Sequence, residues 1–288
     1  MRRDIDIEMK NADEFGKLES FGMNLLSQMG IAGLEEQKAL QAAVLKIQKN
    51  WKEQEKKLPE QKGAHFYRYS TRESGALYGE DGIRIKQNLT GKKPMYLVAL
   101  SSPRTEFAKA IMAYTDSAYY HVSVSLQAGL GNLYSFMSPA AAGGTWEPGG
   151  GFCSDSIKRY RAEGCSILVS CVFLSEKDYR VLLDTLSELM EHQEETQYDY
   201  QGLVRYIIGK REEDKPFCMF CSQFVASLLV KTGIGGIGKE PCFTSPQDIA
   251  ALGAESGVYR LYEGEARLYS GERIRRTVRE LMRCGTTR

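Results

Sequence analysis

The sequence predicts an α+β fold, and three observations carry that reading. Residues 1–60 follow a helical period, residues 121–126 alternate with period two, and the later strands and helices mix without a regular βαβ repeat.

In residues 1–60, Leu40, Val44, Ile47 and Trp51 recur four, three and four apart, on one helix face. Phe15, Leu18, Leu25 and Leu26 supply an opposing face, and Gly30 and Gly33 interrupt between them. The expected product is an antiparallel helical hairpin closed by Leu58 and Pro59. Its seam is also a candidate surface for a protein partner, although two heptads are short for a coiled coil. Residues 61–93 are polar and glycine-containing, and read as a linker or cover.

The pattern sharpens over residues 94–264, the expected catalytic domain. Residues 96–100 form a short apolar run between prolines, which reads as a buried strand. Phe107, Ile111 and Tyr114 follow at helical spacing. Over residues 121–126, His121, Ser123 and Ser125 share one face, with Val122, Val124 and Leu126 on the other. Residues 127–131 turn the chain, so that residues 132–137 can return alongside. Residues 143–151 are a glycine-rich loop holding Trp146 and Pro148, placed to cover a site. Residues 166–174 read as a strand. Residues 176–193 read as a helix with Leu182, Leu186, Leu189 and Met190 inward. Asp199 and Tyr200 either line the site or cap the next helix. Residues 222–231 are helical, with Phe224, Val225, Leu228 and Leu229 on one face and Gly233 placed to end it. A short helix near Ser245 and Pro246 precedes a strand over residues 258–262. The last segment, residues 265–288, holds seven arginines and no lysine. Ile274, Val278 and Met282 give it a weakly amphipathic stripe, and interspersed Glu272 and Glu280 favour a solvated, salt-bridged terminal helix over a nucleic-acid or membrane tail.

Composition narrows the function. Hydrophobic residues at 42% and charged residues at 26% of the 288 argue against a disordered chain. Lys and Arg total 38 against 37 Asp and Glu, which gives no global field for gripping nucleic acid. Seven scattered cysteines are not a disulfide framework. The N-terminus is acidic where a signal peptide needs an apolar core. No apolar run approaches the ~18 residues of a membrane span. The expectation is a cytoplasmic protein.

The strongest chemical feature is the stretch 217–225, FCMFCSQFV, in which Cys221 falls where a helix begins. The unpaired first-turn N–H groups and the helix dipole favour an anion there. A thiol so placed is a candidate nucleophile, and the same N–H groups suit an oxyanion. The bland alternative is a small buried hydrophobe. A Cys nucleophile needs a base, and there are three histidines: His65, His121 and His192. His65 sits in the unpatterned segment and His192 at the polar end of a helix. His121 opens a strand beside small serines that leave room for a substrate.

The two stretches YYHVSVSL, residues 119–126, and FCSQFVASLL, residues 220–229, together resemble the circularly permuted NlpC-type branch of the papain-like cysteine hydrolases. That group includes lecithin retinol acyltransferase-like enzymes. Its members carry the His strand before the Cys helix, as here, and the resemblance covers residues 94–262. It implies a permuted papain-like fold with an antiparallel sheet packed on the Cys-bearing helix. It also implies Cys221 as nucleophile, His121 as general base, an amide or related acyl substrate from a peptide or lipid, and no cofactor. The family places a third polar group on the strand after the His strand. If Leu126 faces Asn132, then Met137 faces His121 and Ser135 is the diagonal neighbour, so Ser135 is the candidate. No Glu, Asp or His stands on that strand, which departs from the commoner family choices; Asn132 is the other option.

Competing motifs are weaker. Cys218 and Cys221 form a C-x-x-C without the second pair that zinc requires or the context of a redox motif. Gly233 to Lys239 mimics a phosphate loop, but Glu240 replaces the required Ser or Thr. The rival functional class is a non-catalytic papain-like interaction module that uses the N-terminal helices or the Arg-rich tail.

Overall fold

The computed structural model describes residues 2–31, 33–57, 63–71, 77–80, 88–102, 105–138, 150–211 and 215–284. Trp146 and Pro148, and with them most of the expected covering loop, lie outside the described residues.

The chain opens with two helices, α1 (Arg2–Gln28) and α2 (Leu34–Lys57). Leu40, Val44, Ile47 and Trp51 are all buried, as their spacing requires. Phe15 meets Trp51 edge-on, with ring centroids 5.1 Å apart. The hairpin is not free-standing: Asn50 Nδ2 donates to the Ala113 carbonyl at 2.9 Å, and Ala110 and Ala113 pack beside Ile47 and Trp51.

Three short strands follow: β1 (Ala64–Phe66), β2 (Tyr69–Thr71) and β3 (Leu77–Gly79). Then come β4 (Lys93–Ser101), α3 (Glu106–Thr115), β5 (His121–Ser125), β6 (Leu133–Met137), β7 (Gly151–Asp155) and α4 (Ile157–Ala162). The second half comprises β8 (Ser166–Leu174), α5 (Glu176–Glu191), β9 (Gln197–Tyr198), α6 (Tyr200–Ile208), β10 (Cys218–Met219), α7 (Cys221–Lys231), α8 (Pro246–Ala250), β11 (Val258–Glu265) and α9 (Gly271–Cys284).

Seven strands form one antiparallel sheet in the order β1-β11-β8-β4-β5-β6-β7. The fold is thus α+β with a large antiparallel sheet. Residues 61–93, expected as linker or cover, supply the edge strand β1, whose Ala64 pairs with Gly264. The sheet separates two apolar layers. On one face Leu97, Ala99, Val122, Val124, Phe136 and Leu168 pack with α5, α6, α7 and α8. On the other, Val98, Leu100, Ile167 and Val169 pack with α4 and with Ile274, Val278 and Leu281 of α9. Strand alternation divides the residues between the layers. Met190 is 46% exposed rather than inward, because it falls off the α5 stripe of Leu182, Leu186 and Leu189.

Candidate functional site

Helix α7 begins at Cys221. Phe220 before it is extended, at φ −100° and ψ 167°, and offers no side-chain cap. Phe224, Val225, Leu228 and Leu229 are buried against the sheet and fix the helix there. Gly233 follows at φ +70°, a conformation glycine adopts without strain. With no cap in competition, the backbone N–H groups of Val122, Ser222 and Cys221 itself point at the Cys221 sulfur. Each favours the thiolate. Burial outweighs them: Cys221 is 3% exposed, and loss of solvation pushes its thiol up to about 11.

Val122 is the hub of the site. Its N–H faces the sulfur, and its carbonyl accepts from Ser135 Oγ at 2.8 Å. Both groups occupy a gap in the sheet. The ladder between β5 and β6 is a single bridge, Val124 to Tyr134, so side chains replace the missing strand partners at Val122. The bridge has the register expected from the sequence. Extended along the strands, it sets Met137 opposite His121 and Ser135 opposite Ser123.

His121 is the neighbour of Val122, but its ring is on the other face. Val122 and Val124 belong to the layer of Cys221 and Phe224. Alternation turns His121 to the opposite layer, where it lines a void of about 20 Å³ with Met137, Arg159, Tyr160 and Glu163. That is space for about one water. His121 Nε2 and the Tyr160 hydroxyl are buried there without hydrogen-bond partners. Burial pulls the imidazole down to about 4; Asp155 opposes this and Arg159 adds to it. The Arg159 guanidinium is held by Asp155 at 2.8 Å and Glu163 at 2.7 Å.

The three expected site residues therefore meet around Val122 without forming a relay. Cys221 and Ser135 reach Val122, and the His121 ring does not reach Cys221. Ser135 bonds the Val122 carbonyl rather than orienting the imidazole. The reason lies in the apolar alternation of β5: the valines must face the apolar side of α7, which sends His121 away from it. Asp199, one of the alternatives considered for the site, caps α6 through Oδ1, accepting from Gly202 N at 2.7 Å.

The surroundings of His121 were missed in the sequence. Arg159, Tyr160 and Glu163 come from α4 and its end, where the only signal is Ile157 and Tyr160 three apart. Tyr198, buried and within electrostatic range of Cys221, was missed too. Among the described residues no group of three or more His, Cys, Asp and Glu side chains is arranged to hold a metal ion, and no helix is long and apolar enough to cross a membrane.

Comparison with known proteins adds nothing to this geometry: no family model, no curated protein and no solved structure matches the chain.

Proposed function

We propose that this chain is a cysteine hydrolase of permuted papain-like build, cleaving an amide or related acyl bond. The observation that carries the reading is the Cys221 sulfur at the start of α7, faced by three backbone N–H groups. The element order supports it: a His-bearing strand precedes a Cys-bearing helix, and that helix packs on an antiparallel sheet. In this reading His121 takes the proton of the Cys221 thiol, and the thiolate adds to the substrate carbonyl while the α7 N–H groups hold the oxyanion. The C–N or C–O bond then breaks, and the leaving group takes the proton held by His121. Water cleaves the thioester and returns the thiol; an alcohol or amine in place of water makes the same site an acyltransferase. The structure is then a resting arrangement. For the reaction the ring has to come to the Cys221 face, which requires the start of β5 to leave its pairing with β4 and turn its backbone.

A second reading has its own observation. Cys221 and the His121 ring lie on opposite faces of β5, as a non-catalytic shell allows. In that case the protein is an interaction module that works through its N-terminal helices or its Arg-rich terminus.

Iodoacetamide labelling, read cysteine by cysteine by mass spectrometry across pH in wild type and His121→Ala, separates the two. The hydrolase reading expects selective labelling of Cys221 well below pH 8, lost or shifted in the variant. Labelling that climbs only toward pH 11 and ignores His121 overturns it in favour of the interaction module.

A further inference from the structure

The N-terminal hairpin does more than cover the body. Between it and helices α3, α6 and α7 lies a cavity of about 90 Å³ with an almost wholly apolar wall. Phe21, Ala43 and Val44 line it from the hairpin side. Phe107 closes it from α3, and Phe220 and Ser222, the residues on either side of Cys221, line it from α7.

We propose that this cavity is the specificity pocket of the Cys221 site, and that it takes a branched aliphatic group of three to five carbons. The inference rests on the hydrolase reading and adds a substrate class to it. Size sets the class. A cavity of ~150 Å³ holds benzene; one of about 90 Å³ admits an isopropyl or isobutyl group and excludes a phenyl ring or a long chain unless the hairpin moves. Chemistry agrees, since the exposed wall is almost wholly apolar and holds no charged side chain to pair with an ionised group.

Position links the pocket to the chemistry. Phe220 and Ser222, the chain neighbours of Cys221, both line the pocket, so a group seated there lies beside the first turn of α7. Between pocket and thiol stands an aromatic cluster. Tyr198, in range of the Cys221 charge, meets Tyr200 at 5.0 Å and Phe107 at 6.2 Å between ring centroids. Tyr200 and Phe107 both belong to the pocket wall. These rings form the partition that a seated substrate displaces. A packing fault is the simpler account of a void, and the cost of a void grows with its volume. Yet Ala43 and Ala110 stand in the wall where any larger aliphatic residue closes it. The pocket is kept open by small side chains on two separate helices.

The test compares Cys221 alkylation by iodoacetamide with that by its N-isobutyl and N-benzyl derivatives. It uses wild type, Ala43→Leu, which fills the pocket, and Val44→Ala, which enlarges it. The expected result is labelling about tenfold faster with the isobutyl reagent than with iodoacetamide, as one seated apolar group supplies. Ala43→Leu brings the ratio of the isobutyl to the iodoacetamide rate down to about one, and Val44→Ala moves the preference toward the benzyl reagent. If Ala43→Leu does not fold, the shift in Val44→Ala decides alone. Equal rates for all reagents at a readily labelled Cys221, or a preference that survives the variants unchanged, overturn the pocket and leave the hydrolase reading standing. A Cys221 that no reagent labels overturns the hydrolase reading and the pocket with it. The source of the group follows from cleavage. An isovaleryl p-nitrophenyl ester turned over in preference to the acetyl ester marks a short branched acyl donor. A leucyl p-nitroanilide turned over in preference to the glycyl compound marks a peptide side chain.

Discussion

The backbone N–H of Val122 favours the thiolate of Cys221, so the nucleophile expected from the sequence lies beside the residue that follows its expected base. In the hydrolase reading this arrangement separates the two cysteines of the C-x-x-C. Cys221 lies at the helix start with donors around its sulfur, whereas Cys218 lies in the short strand β10 and is half-buried. Cys221→Ala is expected to abolish hydrolysis of a substrate ester, and Cys218→Ala to leave the rate within about threefold. Both variants should keep the wild-type circular dichroism spectrum. Equal loss in the two assigns the activity elsewhere.

His121 makes stability pH-dependent, whatever its role in catalysis. Its imidazole is held neutral in the folded protein, at about 4 against 6.5 unfolded, chiefly by burial. The unfolded chain therefore binds a proton that the folded chain refuses. The contribution is fully present above pH 6.5 and is lost progressively as pH falls toward 4. At ~1.4 kcal/mol per pH unit this amounts to about 3 kcal/mol. Urea unfolding at pH 7 and pH 4.5 should show His121→Gln losing less stability on acidification than wild type, by about 2 kcal/mol. An identical pH slope in the two proteins places the ring in solvent instead.

Ser135 distinguishes a hydrogen bond that holds the sheet from one that orients a base. Its hydroxyl is buried and donates to the Val122 carbonyl. Ser135→Ala should cost about 1–2 kcal/mol, because a buried acceptor loses a donor. The pH profile of Cys221 labelling should stay where it was. A displaced profile shows instead that Ser135 acts on the imidazole when the ring turns.

Much of the fold is legible in the sequence because long periodic segments dominate it. The hairpin stripe ending at Trp51 stands where its period puts it, and the β-rich run at residues 166–174 and the helix after Asp199 form as expected. What escaped is short. β1 has three residues and α4 six, too few to show a period, yet β1 closes a sheet edge and α4 delivers Arg159 and Tyr160 to His121. The placement of His121 was available and needed one more step. An apolar helix covers the apolar face of its strand, and on β5 that face is Val122 and Val124. Motif order brought His121 and Cys221 to the same neighbourhood; side-chain alternation, which motif order does not encode, set their faces.

The arginine-rich terminus gives the clearest departure from a solvated appendage. Ile274, Val278 and Leu281 recur at four and three, and all are buried under the sheet in the layer of Tyr259 and Leu261. Arg273 sits over the Phe66 ring at 3.9 Å, which ties α9 to the edge strand β1. Arg275, Arg276 and Arg279 point to solvent, with Glu272 paired to Arg275 at 2.6 Å. The two faces of the helix should therefore respond in opposite ways. Leu281→Ala removes a fully buried side chain and should cost about 2–5 kcal/mol. Arg276→Glu changes an exposed charge and should stay within about 0.5 kcal/mol of wild type. Truncation after Ser270 strips the cover from Tyr259 and Leu261 and should leave a chain that binds a hydrophobic dye and has lost its cooperative unfolding transition. A truncated protein that unfolds cooperatively at the wild-type midpoint shows that the helix is an accessory after all, and returns the arginines to the role of a partner surface.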